Sequence, residues 1–259
     1  MGKPAATASI IKDVRALLES RADEKEPGRN GKAKSSAGAR SPLKALGVKS
    51  SFVRSVAREI QTRNKPAMDY AAALALVDAA VARKVREEIL VALEVLERYR
   101  KDFAPGLFAR VEKWSNSVAD DLEVAEALGT RIGAPALALE PSRIAVIKKW
   151  ARLRSLGKRR LAVLTAAGLV TDGRREAATV LELAELLLHE EHPAMVAAVA
   201  SLLRETTKVD AKAVQDFLFR RSIDGNPEIL RAGSENLDAA RRAALIAKLE
   251  AQAALVAAG

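Results

Sequence analysis

The stretch HPAMVAAVASLLRETTKVDAKAVQDFL, residues 192–218, decides the fold. Pro193 sits where the first turn of a helix tolerates proline, so a helix is expected from there to about 207. After a short break a second is expected over about 210–221. The same pattern extends outward. Upstream, helices are expected over about 158–168 and 176–188, the latter carrying Val180, Leu183, Ala184, Leu187 and Leu188 at helical spacing. Pro141 opens another, with Ile144, Ile147 and Trp150 on its apolar face. Downstream, an Ala-rich amphipathic helix from about 236 to the end is expected to cap the array.

Towards the N-terminus, Ser117-x-x-Asp120 resembles a capping box before a helix running to about Arg131, and the break at 104–106 precedes a helix from Leu107 to Trp114. Val85, Ile89, Leu93 and Leu96 form one face, Phe52, Val53, Val56 and Ile60 another, and Pro66 is read as the opening of a helix between them. Ile10, Ile11, Val14, Leu17 and Leu18 mark the first helix, with Thr7 or Ser9 as its cap. Residues 22–43 have almost nothing to bury and read as a flexible basic loop. Helix pairs every 30 to 45 residues or so are the signature of an α-solenoid. The expected class is therefore all-α, an α-solenoid of paired helical repeats; a compact, irregular helical domain is the alternative. The expected divisions are an N-terminal helix (1–21), the loop (22–43), a repeat domain (44–235) and the capping helix (236–259).

Composition agrees. Hydrophobic residues are 49% of the chain but aromatics only 3%, a balance that favours helix over sheet. Absence of Cys excludes disulfides and thiol nucleophiles and suits a cytoplasmic setting. Two His are too few for a zinc site of the usual kind, so no metal and no cofactor are expected. HEEH at 189–192 lacks the HExxH spacing and reads as a helix–helix turn. GRNGKAKSS at 28–36 lacks the ending of a phosphate-binding loop. No long apolar run or signal-like N-terminus is present, so no membrane is expected as a partner.

Charge is the more telling property. Lys and Arg number 43 against 33 Asp and Glu, a net +10 that attracts polyanions. Between Pro141 and Thr171 stand Arg143, Lys148, Lys149, Arg152, Arg154, Lys158, Arg159 and Arg160, with no carboxylate. A second such run from Pro27 to Arg58 holds Arg29, Lys32, Lys34, Arg40, Lys44, Lys49, Arg54 and Arg58. A solvated helix face normally mixes both signs, so these runs read as phosphate-binding surface. Scarce aromatics argue against single-strand stacking and leave duplex DNA as the expected partner of a monomer.

Four segments carry a family resemblance: LGVKSSFVRSVAREI (46–60), VEKWSNSVADDLEVAEAL (111–128), WARLRSLGKRRLAVL (150–164) and the 192–218 stretch. In this order and spacing the chain resembles the AlkD-like DNA alkylation-repair glycosylases. That resemblance implies HEAT-like repeats around a basic concave groove and hydrolysis of the N-glycosidic bond of N3- or N7-alkylated purines, as in base excision repair. It also implies nucleoid association when the protein is bound to DNA. An alkylated purine is already cationic and leaves without a general acid. A carboxylate beside the sugar then stabilises the oxocarbenium-like transition state. On this resemblance the catalytic carboxylate falls on Glu126 and the phosphate-holding arginine on Arg160, beside Arg159. The family's aromatic positions fall on Leu122, Ser201, Pro193 and Ala194, so the groove charge is kept and the aromatic walls are not. Two non-enzymatic readings stand beside this one: a binder of damaged or branched DNA, and a protein-interaction scaffold. Trp114 and Trp150 read as core anchors.

Overall fold

The computed structural model describes residues 4–22, 43–65, 67–171 and 174–258, and among these every regular element is a helix. The chain divides into two compact units, Met1–Leu139 and Glu140–Gly259. The first holds α1 (Pro4–Ala22), α2 (Ser50–Arg63), α3 (Tyr70–Arg83), α4 (Arg86–Glu97), α5 (Leu107–Val118), α6 (Leu122–Ala127) and α7 (Ala134–Leu139). Consecutive helices pack as pairs, α1 on α2, α3 on α4 and α5 on α6. Neighbouring pairs stack in two rows, α1–α3–α5–α7 and α2–α4–α6. This is the two-layer stacking expected of a solenoid.

Local chemistry sets the helix ends. Asp69 caps α3 by accepting from the Ala72 amide at 2.7 Å, and Lys84 ends it with φ of 55°. Pro66 lies outside the described residues, and the helix expected to open there starts at Tyr70 instead. Thr7 and Ser9 lie inside α1 rather than before it. Ser117 belongs to the last turn of α5, and α6 is capped by Asp121, whose carboxylate accepts from the Val124 amide at 3.2 Å. The 22–43 segment falls outside the described residues, apart from Ala22 ending α1 and a buried Leu43.

The start of α4 is unusual, because Arg86, Glu87 and Glu88 are all buried. Each has a partner on a different element. Arg86 Nε donates to Asp121 Oδ2 at 2.7 Å, tying α4 to the cap of α6. The Glu87 carboxylate accepts from the backbone amides of Leu46 and Gly47, both at 2.9 Å. Glu88 receives Arg15 of α1 at 3.2 Å and Arg83 of α3 at 2.7 Å. The hydrogen bond to Glu88 raises the pKa of Arg83 and keeps it charged. Beyond this cluster α4 buries Ile89, Leu90, Val91, Leu93, Val95 and Leu96, with Glu94 and Glu97 as its remaining charges.

The second unit holds α8 (Ile144–Ala151), α9 (Leu156–Ala166), α10 (Ala177–Glu185), α11 (Pro193–Thr207), α12 (Ala211–Arg221), α13 (Pro227–Gly233) and α14 (Ala239–Ala258). Pro141 opens a 3-10 turn to Arg143 rather than the helix itself. Here the rows are α9–α11–α13 and α10–α12–α14. The seven-residue α13 has too short a pattern to be read from sequence; Asn226 caps it and Pro227 opens it. Its close approach to α11 needs Gly233, where a Cβ would meet Leu203 Cδ1 at 2.8 Å. α14 packs on α12 and α13, burying Leu245 and Leu249.

The repeat shows in polar contacts more clearly than in residue identity. Trp114 bonds Asp78, 36 residues away; Arg131 bonds Glu97, 34 away; Arg159 bonds Glu190, 31 away; Asn226 bonds the Glu190 carbonyl, 36 away. Each spans one helix pair.

Arg86→Ala leaves Asp121 buried without its cation and is expected to cost about 3–5 kcal/mol in denaturant unfolding. A cost below about 1 kcal/mol, the range of exposed pairs, would show the pair to be dispensable. Thr165 is fully buried and its hydroxyl has no hydrogen-bond partner among the described residues. Thr165→Val is therefore expected to stabilise by about 1 kcal/mol, read as a rise in Tm.

Candidate functional site

In the first unit a cavity of about 250 Å³ opens along the row of second helices, and each of the three helices contributes. From α2 come Ser50, Val53 and Arg54; from α4, Leu90 and Glu94; from α6 and the turn beyond it, Glu123, Glu126, Ala127, Thr130 and Arg131. The Glu87 carboxylate fixes the turn before α2, where Gly47 takes a φ of 77° that a side chain would resist. Ser50 Oγ then donates to Glu123 at 3.0 Å, joining α2 to α6. The Arg86–Asp121 pair anchors the other end of this construction.

Past Ala127 the helix widens into a π-helical turn, Leu128–Gly133. In a regular α-helix residues five apart point about 140° away from each other. The i→i+5 bonding of a π turn brings such residues nearly into line. Glu126 and Arg131, five apart, accordingly line the same cavity. Arg131 pairs with Glu94 and, at 2.7 Å, with Glu97. Burial works against its charge, but the hydrogen bond to Glu97 and the field of Glu94 outweigh that, and its pKa is raised. Glu126 is exposed, with its backbone carbonyl accepting from the Thr130 hydroxyl at 2.7 Å. Arg54 is exposed and has no carboxylate partner among the described residues. The cavity thus offers a water-accessible carboxylate to a cation and a guanidinium to an anion. No lining residue is aromatic.

The other expected site residues of this unit are dispersed. Lys44 is exposed, with its backbone bridged to Val85, and Lys49 is the exposed residue preceding α2. Arg29, Lys32, Lys34 and Arg40 lie outside the described residues.

In the second unit the basic run is not of one sign in space. Carboxylates from outside the 141–171 window reach into it: Glu140 to Arg143 at 3.6 Å, Glu182 to Lys148 at 2.5 Å, and Glu190 to Arg159 at 3.1 Å. Arg159 also donates to the carbonyls of Leu153 and Arg154, at 3.1 and 2.7 Å. Lys158 lies over the buried Trp150 ring, 4.9 Å from its centroid. Arg160 is half-buried on α9. Lys149, Arg152 and Arg154 are exposed without a carboxylate partner among the described residues. These three form the open part of the run.

The remaining positions are structural in setting. Trp114 is buried and donates to Asp78 at 2.7 Å. His192 caps α11, its Nδ1 accepting from the Ala194 amide at 3.1 Å. Among the described residues no three His, Asp or Glu side chains gather as a metal would require, and no helix is long and apolar enough to cross a membrane. Leu122 is half-buried and Ser201 exposed. Sequence reasoning overlooked Glu94, on α4, and Thr130 and Arg131, in the π turn; nothing in residue spacing signals that turn.

A solved structure described as a predicted DNA alkylation repair enzyme from Enterococcus faecalis superposes with a TM-score of 0.57 at 14% identity, covering 76% of this chain and 90% of the other. At that identity the likeness establishes the fold alone. No curated protein sequence matches the chain. The DNA alkylation repair enzyme family matches residues 14–237, nearly the whole length, and the protein belongs to that family.

Proposed function

We propose that the protein binds duplex DNA and hydrolyses the N-glycosidic bond of cationic N3- or N7-alkylated purines. The observation that carries this reading is Glu126, a solvent-open carboxylate facing a cavity that also holds Arg54. An alkylated purine needs no proton to leave, so the protein's task is to stabilise the positive charge that grows on the sugar as the bond breaks. Glu126 supplies the negative charge for this and orients the attacking water. Arg160 on α9 is assigned a DNA phosphate, and Lys149, Arg152 and Arg154 with Lys44, Lys49 and Arg54 supply further backbone contacts. Arg143, Lys148, Lys158 and Arg159, already engaged within the protein, contribute less.

A non-catalytic binder of damaged or branched DNA is the second reading. The absence of aromatic residues from the cavity lining favours it, because a ring face against a cationic base contributes roughly 0.5–2 kcal/mol.

Release of 7-methylguanine and 3-methyladenine from methylated duplex separates the two. Glu126→Gln is expected to lower release by about 10²-fold or more with duplex affinity little changed, and Arg160→Ala to weaken both. Equal release by Glu126→Gln and the unaltered chain would refute the carboxylate's role. No release at all, with tight binding, leaves the second reading. Joint replacement of Lys149, Arg152 and Arg154 by Ala is expected to flatten the plot of log affinity against log salt by roughly 2.7 in slope, about 0.9 per phosphate contact. Replacing Lys148 and Arg159 is expected to flatten it less. An affinity indifferent to salt would remove DNA phosphate from the picture.

A further inference from the structure

At one edge of the second unit three connecting turns are stitched together: 152–155 between α8 and α9, 186–192 between α10 and α11, and 222–226 between α12 and α13. Arg159 makes the first stitch, donating to the carbonyls of Leu153 and Arg154 while paired with Glu190. Asn226 makes the second, its side-chain amide donating to the Glu190 carbonyl at 2.7 Å and its backbone amide to the Leu188 carbonyl at 2.9 Å. Each turn exposes one large aliphatic side chain: Leu153 at 45%, Leu186 at 37% and Ile223 at 66%.

The three differ in their neighbours. Leu186 follows Glu185, and Ile223 precedes Asp224; both carboxylates pair with Arg221, so neither tip stands between unpaired cations. Leu153 stands between Arg152 and Arg154, both exposed and without a carboxylate partner among the described residues. An apolar tip between two cations, on a turn held by the half-buried Arg159, has the chemistry of a wedge that enters a base step while its flanks hold the phosphates.

We propose that Leu153 is such a wedge, inserted between base pairs of duplex DNA and held there by Arg152 and Arg154, with Arg159 as the positioning residue that sets the turn. The inference rests on the duplex-binding reading above and adds local unstacking of the DNA to it. Unstacking loosens the nucleotide next to the wedge and exposes its glycosidic bond.

The test uses the full chain and a set of duplexes with 2-aminopurine at successive positions, whose emission rises when its base unstacks. The unaltered chain is expected to raise emission at one position. Leu153→Ala is expected to cut that rise at least about three-fold while the salt slope of binding stays unchanged, and Leu153→Met, also able to wedge, to restore it. Leu153 is exposed, so thermal unfolding of both variants should match the parent. Binding without a rise in emission, or a rise that Leu153→Ala leaves intact, overturns the wedge while the duplex-binding reading survives. No salt-dependent binding by the parent overturns both. Self-association in sedimentation that Leu153→Ala abolishes, with emission unaffected, overturns the wedge in favour of a second copy as occupant of this turn.

Discussion

Three charged side chains in sequence, Arg86, Glu87 and Glu88, enter the interior at the start of α4, and the arrangement of the first unit depends on where they go. Removing a charge from water is costly, and only close partners offset the cost. Each of the three finds its partners on different elements: the cap of α6, the turn before α2, and α1 with α3. Apolar packing alone would let α4 slide or rotate among similar Leu and Val contacts. The charges remove that freedom, since any other register strands at least one of them. The same contacts orient α2 and α6, and so decide what faces the cavity between them.

The helices themselves are legible because amphipathic spacing is a local property. α11 begins at Pro193 and ends at Thr207, where its pattern says it should. Long-range pairing is not local, and there the reading from sequence is incomplete. The run from Arg143 to Arg160 holds no carboxylate, yet Glu140, Glu182 and Glu190 meet three of its members. Stacking brings together residues one helix pair apart, so the charge of a face is a sum over two or three stretches of chain. The Arg-Glu-Glu at the start of α4 shows the same limit in reverse, since it looks like a solvated first turn and is buried. Glu126 was reached through family resemblance, and Arg54 through its place in a basic run. Neither route leads to Arg131, which the π turn brings to the cavity, or to Glu94, which the packing of α4 on α2 and α6 brings there.

Arg159 illustrates how the stacked architecture divides labour among similar residues. It adjoins Arg160 in sequence, but its guanidinium is spent on two carbonyls and a carboxylate. Its neighbours across the turn, Arg152 and Arg154, are exposed, on backbone that Arg159 holds at the Leu153 and Arg154 carbonyls. Cations of one type thus serve as internal braces or as outward contacts according to the carboxylate one repeat away.

The π-helical turn at Leu128–Gly133 makes chain length itself a constraint. Deleting one residue between Glu126 and Arg131 would let the turn relax to a regular helix, in which residues four apart are offset by only about 40°. The two side chains would keep a common face, and the helix on either side would keep its phase. A further inserted residue has no such outlet: it would turn the helix downstream by about 100° relative to the helix upstream and separate Glu126 from Arg131. Loss and gain of a residue are therefore unequal in a segment whose individual residues, Leu128, Gly129 and Ile132 among them, are ordinary core residues.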